Sequence, residues 1–236
     1  MKVNALGFGP VVLVVLPPLV FGGMYAWISN PRPDPQALPA ALIAFETPEG
    51  QALLADAEVR ADVDALLPQL QSQEKMSWCG VASSATVLSA LDGRRVAQDD
   101  VFTDRASDVR SFWRVTFGGM PLDALGGILA AHDKRVAVVH AGDSKVEAFR
   151  AMLLVNLAEP TDFVIVNYAR NPLGQGDSGH FSPLGAYDED TDRVLILDTA
   201  AYRWPPTWVG VEALFGAMNT LDSDGGRTRG WVEVGR

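Results

Sequence analysis

The stretch SQEKMSWCGVASSATVLSALDG, residues 72–93, holds Cys79, the only cysteine of the 236-residue chain. The run that follows it is rich in small and aliphatic residues and ends at Asp92-Gly93, which is a turn signal. This pattern predicts a helix with Cys79 at or near its N-terminus. Unpaired N–H groups and the helix dipole stabilise a thiolate there and lower the pKa of the thiol. A lone cysteine is nevertheless more often a small packed hydrophobe, so its companions decide between the two readings.

Two further residues can complete a nucleophilic site. His180 begins the predicted strand HFSPLGAY, where it can act as a general base, and the preceding Gly179 allows another segment to approach closely. Asp198 ends the apolar strand RVLILD, and one hairpin can bring it beside His180 to orient the imidazole. The alternatives are a structural histidine and an aspartate that caps the following turn.

Gln73 precedes the cysteine by six residues. At this distance a side-chain amide can point its N–H at an oxyanion, while the backbone N–H of Cys79 supplies a second donor. The alternative is a surface glutamine in a polar stretch.

Helical patterns dominate the first half of the chain and strand patterns the second. Helices are predicted after Thr47, after Cys79 and over residues 119–131, whereas RVAVVH, FVIVNY, HFSPLGAY, RVLILD and GWVEV read as strands. This order predicts an α+β fold rather than alternating βαβ units.

The N-terminal region differs in composition from the rest. The 24 residues from Ala5 to Ile28 carry no charged side chain, and about 20 apolar residues span a bilayer. We therefore expect residues 1–29 to form a transmembrane anchor, with a cleaved signal peptide as the alternative. Residues 30–44 are expected to form a Pro-rich linker and residues 45–236 one catalytic domain. Lys2 on the inner side places that domain on the extracytoplasmic (periplasmic) side, anchored or secreted.

Charge and residue counts exclude several classes of partner. Acidic residues outnumber basic ones 29 to 19, which disfavours nucleic acid as a partner. One cysteine precludes a cysteine-built zinc site, and the spacing of the three histidines is not that of metal ligands. We expect no metal or other cofactor bound by the protein itself.

Three segments resemble the phytochelatin synthases, the glutathione γ-glutamylcysteinyltransferase branch of the papain-like cysteine peptidases. They are Gln73 with SWCGVASSATVLSAL, then NYARNPLGQGDSGHFSPLGAYD, then RVLILDTAAYRWPPTWV, and the resemblance covers about residues 65–232. It implies a papain-like fold, with the nucleophile at a helix N-terminus in the helical first half and an antiparallel sheet in the second half.

The resemblance also implies roles for individual residues. Cys79 would be the nucleophile, His180 the base and acid, Asp198 the orienting residue and Gln73 the oxyanion donor.

A second set of residues is implied to bind substrate. Arg229, in the closing Arg-Gly pair, would lie near the γ-glutamyl group, and Asn167 would line the same pocket, as would Gly179.

Two departures from the family pattern affect these expectations. Where plant members usually read DVARFKYPPHWV this chain reads DTAAYRWPPTWV, so Ala201 replaces an arginine. The chain resembles short prokaryotic-type members without the cysteine-rich C-terminal region of the plant enzymes, which suits hydrolysis better than transfer.

The expected reaction is cleavage of the Cys-Gly bond of glutathione through a γ-Glu-Cys acyl-enzyme. Water would release γ-Glu-Cys, and a second glutathione would yield a phytochelatin, linking the protein to metal detoxification or glutathione turnover. Zinc or cadmium would arrive as a glutathione thiolate complex. The alternatives are a papain-like peptidase or amidase acting on another peptide, and a non-catalytic protein that binds glutathione or metal thiolates.

Overall fold

A computed structural model describes the backbone of residues 11–236 and the side chains from residue 20 onward. The helices within this part are α1 (Val11–Ile28), α2 (Pro48–Asp56), α3 (Ala61–Leu66), α4 (Cys79–Asp92), α5 (Asp104–Val109), α6 (Phe112–Gly118), α7 (Leu122–Ala131), α8 (Val146–Asn156) and α9 (Val211–Met218). The strands are β1 (Ile43–Ala44), β2 (Arg135–His140), β3 (Asp162–Ala169), β4 (Gly179–Asp188), β5 (Arg193–Ile196), β6 (Thr207–Gly210), β7 (Leu221–Asp222), β8 (Arg227–Thr228) and β9 (Gly230–Gly235).

Seven of these strands form one antiparallel sheet in the order β1-β6-β5-β4-β3-β9-β2. Strand β4 lies at the centre, between β3 and β5, and β7 and β8 form a separate hairpin. Helices α2 to α7 precede most of the sheet in the chain. The predicted α+β class, with helices first and an antiparallel sheet later, is therefore confirmed.

The central strands of the sheet are buried on both faces, because successive side chains of a strand point to opposite faces and here nearly all of them are buried. In β3, Phe163 and Ile165 face the core beneath α3, α4 and α7, whereas Val164 and Val166 face the core beneath α8 and α9. Burial on both faces explains why FVIVNY reads as a continuous apolar run. The result is three layers, with the central strand β4 covered on both sides.

Helix boundaries follow local chemistry at several places. The Thr47 side chain accepts a hydrogen bond from the N–H of Gly50 and caps α2, and Pro48 occupies the first helical position. Helix α4 ends at Gly93, whose φ of 63° is left-handed. Helix α7 begins at Leu122, later than the predicted residue 119, because Gly119 has a φ of 69° and cannot continue a right-handed helix.

The end of α1 packs against the rest of the molecule. Its Phe21 and Tyr25 rings contact Trp113 of α6, and its last carbonyl, that of Ile28, accepts a hydrogen bond from the N–H of Met76. Residues 1–10 of the predicted anchor lie outside the described residues. Over the described part, no helix is both long and apolar enough to cross a bilayer.

Most of the residues predicted as a linker lie along the domain surface, but Leu42 is buried and Ile43–Ala44 form strand β1 of the sheet. The N–H groups of Asp34 and Gln36 donate to the carbonyls of Tyr202 and Arg203, at 3.0 and 3.1 Å. An Asp34–Arg203 ion pair at 3.3 Å adds to this contact. This extended segment therefore follows the loop after β5.

Candidate active site

Cys79 is the first residue of α4, where the sequence places it. The helix packs against β4 and is buried along most of its length, but Cys79 itself is partly exposed. At this position its backbone N–H has no acceptor within the helix, so the N–H can point outward. The thiol is thus fixed at the positive end of a rigid, buried helix.

His180 is the second residue of β4 and is paired with Tyr168 of the neighbouring strand β3. The ring of Tyr168 packs edge-on against the imidazole, with the ring centres 5.8 Å apart. The imidazole is buried, and it lies close enough to the Cys79 thiol to lower the pKa of the thiol. Helix α4 and strand β4 therefore bring the predicted nucleophile and base into contact.

Asp198 follows β5 and is 2% exposed. Its Oδ1 lies 3.0 Å from Nε2 of His180, which is within ion-pair distance. The same oxygen accepts a hydrogen bond of 2.8 Å from the N–H of Ala200. The structure thus brings together all three members of the predicted triad.

A charged residue that the sequence prediction missed also binds Asp198. Nη2 of Arg170 lies 2.9 Å from both carboxylate oxygens, and its Nη1 donates to Oε1 of Gln175 at 2.9 Å. Arg170 follows β3 directly and is 4% exposed. A charge that ends an apolar strand needs a partner, and the same reasoning that identified Asp198 could have identified Arg170.

The electrostatics of the site favour a charged thiol and imidazole. Burial raises the pKa of Cys79, but contact with His180, a backbone hydrogen bond from Phe181 and the charge of Arg170 lower it below its usual value. Burial and Arg170 lower the pKa of His180, whereas Asp198 and the thiol raise it above its usual value. These opposing shifts favour a thiolate–imidazolium pair, the reactive form of a cysteine nucleophile.

Gln73 is buried and lines the same cavity as Cys79. Its Nε2 donates to the carbonyls of Lys75 and Met76, at 3.0 and 2.8 Å, so both amide protons are directed at backbone oxygens. Its backbone N–H donates to Thr199, in the loop that carries Asp198. The side chain is in place for the predicted oxyanion role only if one of these protons turns toward the cavity.

The cavity has a volume of about 410 Å³ and extends from the catalytic group to the β7–β8 hairpin. Asn167, Gly179 and Arg229, for which a substrate-binding role is predicted, all line it. The Arg229 guanidinium lies over Gly179, where a Cβ would come within 3.2 Å of its Nη2. A side chain at this position would press on the end of the arginine, and glycine leaves room for it.

Asp222 and Tyr202 line the cavity as well, and the sequence prediction missed both. Asp222 accepts a hydrogen bond of 3.4 Å from Nδ2 of Asn167 and sits in a two-residue strand far from the other site residues in sequence. The hydroxyl of Tyr202 is 3.5 Å from Nε2 of Gln73. No local pattern marks either residue.

Trp78, the residue before the nucleophile, belongs to the core. It is fully buried, its indole N–H donates to Thr116, and its ring contacts Phe102 and Phe112. Nζ of Lys75 lies 3.4 Å from the ring centre in a cation–π contact. This packing holds the start of α4 in position.

Comparison with known proteins gives a consistent result. A family model described as phytochelatin synthase matches residues 34–231. Glutathione gamma-glutamylcysteinyltransferase 1 of Triticum aestivum is 31% identical over 212 residues, covering 82% of this chain and 40% of the relative. The corresponding figures for glutathione gamma-glutamylcysteinyltransferase 3 of Lotus japonicus are 29% over 205 residues, 82% and 42%.

More distant matches include a yeast relative and a solved structure. Glutathione gamma-glutamylcysteinyltransferase of Schizosaccharomyces pombe is 24% identical, covering 83% of this chain and 49% of the relative. The structure of xylellain, a cysteine protease from Xylella fastidiosa, aligns with a TM-score of 0.47 and 10% identity, covering 88% of this chain and 96% of that one. The chain spans 40 to 49% of the length of these curated relatives.

Proposed function

The chain belongs to the phytochelatin synthase family, and from this we propose that it cleaves the Cys-Gly bond of glutathione through a γ-Glu-Cys acyl-enzyme on Cys79. The acyl group then passes to water or to a second glutathione. Support comes from the contact between the Cys79 thiol and His180 at one end of a cavity whose other end carries charges of both signs.

The proposed first step uses the thiolate–imidazolium pair. The Cys79 sulfur attacks the carbonyl carbon between cysteine and glycine, and the oxyanion forms beside the backbone N–H of Cys79 and the amide of Gln73. The C–N bond then breaks, and the departing amine of glycine takes the proton from His180. A thioester between Cys79 and γ-Glu-Cys remains.

In the proposed second step His180 acts as the base. It takes a proton from water or from the amine of a second glutathione as that nucleophile attacks the thioester carbonyl. The Cys79 thiolate leaves, and the product is γ-Glu-Cys or a phytochelatin.

The observation that carries the choice of glutathione is that Arg229 and Asp222, one cation and one anion, line the same cavity. A γ-linked glutamyl group presents a free α-carboxylate and a free α-ammonium, which match one cation and one anion. Nη1 of Arg229 donates to Thr220 and to the carbonyl of Leu221, and among the described residues its buried Nε has no hydrogen-bond partner. That N–H is available for a substrate carboxylate.

Replacing Arg229 with methionine is expected to raise KM for glutathione about 10- to 100-fold, the cost of losing a hydrogen-bonded charge. The parent should also prefer glutathione to its α-linked isomer Glu-Cys-Gly, and Arg229→Met should lose that preference. Steady-state glycine release from both peptides measures this.

The matched control for this variant is Arg227→Met, because Arg227 is half exposed and pairs with Asp143 outside the cavity. It should leave KM unchanged. Equal KM values for Arg229→Met and the parent would remove Arg229 from substrate recognition.

The function is tested by incubating the full chain with glutathione, with and without zinc or cadmium. Free glycine is measured over time, and γ-Glu-Cys and phytochelatin are separated by mass spectrometry. Glycine release with either product supports the proposal. Cleavage of unrelated peptides at the same rate would favour a general peptidase, and tight glutathione binding without glycine release would favour a binding protein.

Metal is proposed to enter as part of the substrate. The chain has one cysteine, so further thiolate ligands for zinc or cadmium would come from glutathione itself. The protein should then retain metal after gel filtration only when glutathione is present. Stoichiometric metal on the glutathione-free protein would contradict this.

A membrane location through residues 1–29 is proposed as well, with the catalytic domain on the extracytoplasmic side. Support comes from the apolar side chains that α1 leaves exposed, Val20, Phe21, Met24 and Trp27. After cell fractionation the full chain should stay with the membranes through an alkaline carbonate wash, and protease added to spheroplasts should digest it. Full recovery in the carbonate supernatant would contradict anchoring.

A further inference from the structure

Arg170 makes hydrogen bonds through both its side chain and its backbone. Its guanidinium holds both oxygens of Asp198 and the side chain of Gln175. Its backbone N–H donates to the carbonyl of Ser178, and its own carbonyl accepts from the N–H of Gln175. The loop that leads into β4 is thus closed around this one cation.

The carboxylate of Asp198 lies close to both Arg170 and His180, but its hydrogen bonds to the two residues differ. Arg170 contacts both oxygens at 2.9 Å with good hydrogen-bond geometry. Nε2 of His180 is 3.0 Å from Oδ1, yet among the described residues it has no partner at a hydrogen-bonding angle. In this arrangement the carboxylate binds the arginine more directly than the histidine.

We propose that Arg170 is a positioning residue, which holds Asp198 as a fixed carboxylate and whose positive charge sets the pH range in which Cys79 and His180 form their reactive ion pair. This inference rests on the proposed roles of Cys79 and His180, but it does not depend on which substrate they process.

The argument is one of local charge. The ionisable groups around the pair are Arg170 after β3, Tyr168 within β3, Asp198 after β5 and Tyr202 in the loop that follows. Both phenols are neutral at physiological pH, because the ordinary pKa of a tyrosine is about 10 and burial raises it further in both. Arg229 and Asp222 line the same cavity, but the charges that shift the pKa values of the pair are those of Arg170 and Asp198, together with the mutual attraction of the thiolate and the imidazolium.

Removal of the arginine's charge should change the pKa of Cys79 and the pKa of His180 in the same direction. A nearby cation favours loss of a proton, so Arg170 lowers the pKa of the Cys79 thiol and also that of the His180 imidazolium. Without it, both protons are held more tightly. The ion pair would then form and disappear at higher pH, and both limbs of its pH profile would move in the same direction.

The test uses alkylation of the single thiol by iodoacetamide, because the rate follows the thiolate without need of glutathione. The rate is measured from pH 4 to 10 in the parent, in the neutral variant Arg170→Gln and in the charged variant Arg170→Lys. The rise in rate at low pH marks formation of the thiolate beside the imidazolium. The second change in rate, at high pH, marks loss of the imidazolium proton, because the thiolate remains but its reactivity differs without the neighbouring positive charge. We expect Arg170→Gln to shift both limbs upward by about one pH unit, and Arg170→Lys to stay close to the parent.

Several results would overturn the inference. If the pH profile of Arg170→Gln keeps both limbs in place and only the overall rate falls, Arg170 is purely structural. If the two limbs move in opposite directions, Arg170 acts mainly through the effect of Asp198 on His180. If Arg170→Gln does not fold, as judged by near-ultraviolet circular dichroism, Arg170→Met is the second neutral variant, and the same shift is required of it. A shift in a protein that does not cleave glutathione would support this inference while refuting the proposed function.

Discussion

Replacing Cys79 with alanine is expected to abolish the release of glycine from glutathione, with a loss of at least about 10⁴-fold in kcat, as for removal of the nucleophile from a catalytic triad. The expected loss is large because the proposed reaction has no path around the acyl-enzyme. The residue is also the only thiol in the chain, so no neighbouring cysteine can substitute for it.

The acyl-enzyme itself provides a second readout. Mass spectrometry of the intact parent after a brief incubation with glutathione should detect the added mass of γ-Glu-Cys, and Cys79→Ala should never carry it. Ser84→Ala is the matched control, because Ser84 lies in the same helix, is buried, and its hydroxyl has no hydrogen-bond partner among the described residues. Glycine release by Cys79→Ala at the parent's rate would show that the nucleophile is misassigned.

The second large effect is expected for Asp198→Asn, which should lower kcat about 10²- to 10⁴-fold because the imidazolium loses its stabilising charge. The change also leaves Arg170 buried without a counter-charge, at a cost of about 3–5 kcal/mol in the free energy of unfolding. Urea denaturation at neutral pH measures that cost, and glycine release measures the rate.

The effect on stability has a definite pH dependence. Burial raises the pKa of Asp198, but the charges of His180 and Arg170 outweigh it and lower the pKa to about 2. A carboxylate with a depressed pKa stabilises the folded state above its unfolded pKa of about 4 and loses that contribution as the pH falls toward the folded value. The difference between parent and Asp198→Asn should therefore shrink steadily below pH 4.

The double variant Asp198→Asn/Arg170→Met separates the two roles of this carboxylate. It removes the buried pair as a unit, so most of the lost stability should return, whereas the rate should stay low. Recovery of the rate in the double variant would mean that Asp198 serves only to neutralise Arg170.

The sequence allowed Cys79, His180 and Asp198 to be predicted because each stands at the boundary of a strongly patterned element. A small-residue helix begins at the cysteine, an apolar strand begins at the histidine, and another ends at the aspartate. A polar group that is buried at such a boundary needs a polar partner. The three residues could be partners of one another, and this predicted a single site. Strand order then decided the geometry, since β4 lies beside β5 and carries His180 to Asp198.

The partners of the remaining site residues depend on contacts that no local pattern encodes. Arg170 stands at the end of an apolar strand, which indicates that it needs a partner, but only the order of β3, β4 and β5 in the sheet brings it to Asp198. Hydrogen bonds to the carbonyls of Lys75 and Met76 set the orientation of the Gln73 amide, and the residue types alone do not predict that orientation. Asp222 enters through a hairpin of two-residue strands, too short to leave a period-2 signal.

The solitary thiol at the start of α4 also determines how the site responds to oxidants. A low-pKa, partly exposed cysteine is readily oxidised to a sulfenic acid. Within these 236 residues no resolving cysteine exists to form a protective disulfide, so repair requires a thiol from solution. The proposed substrate carries such a thiol, and the molecule that the enzyme consumes would then also be the reductant that restores it.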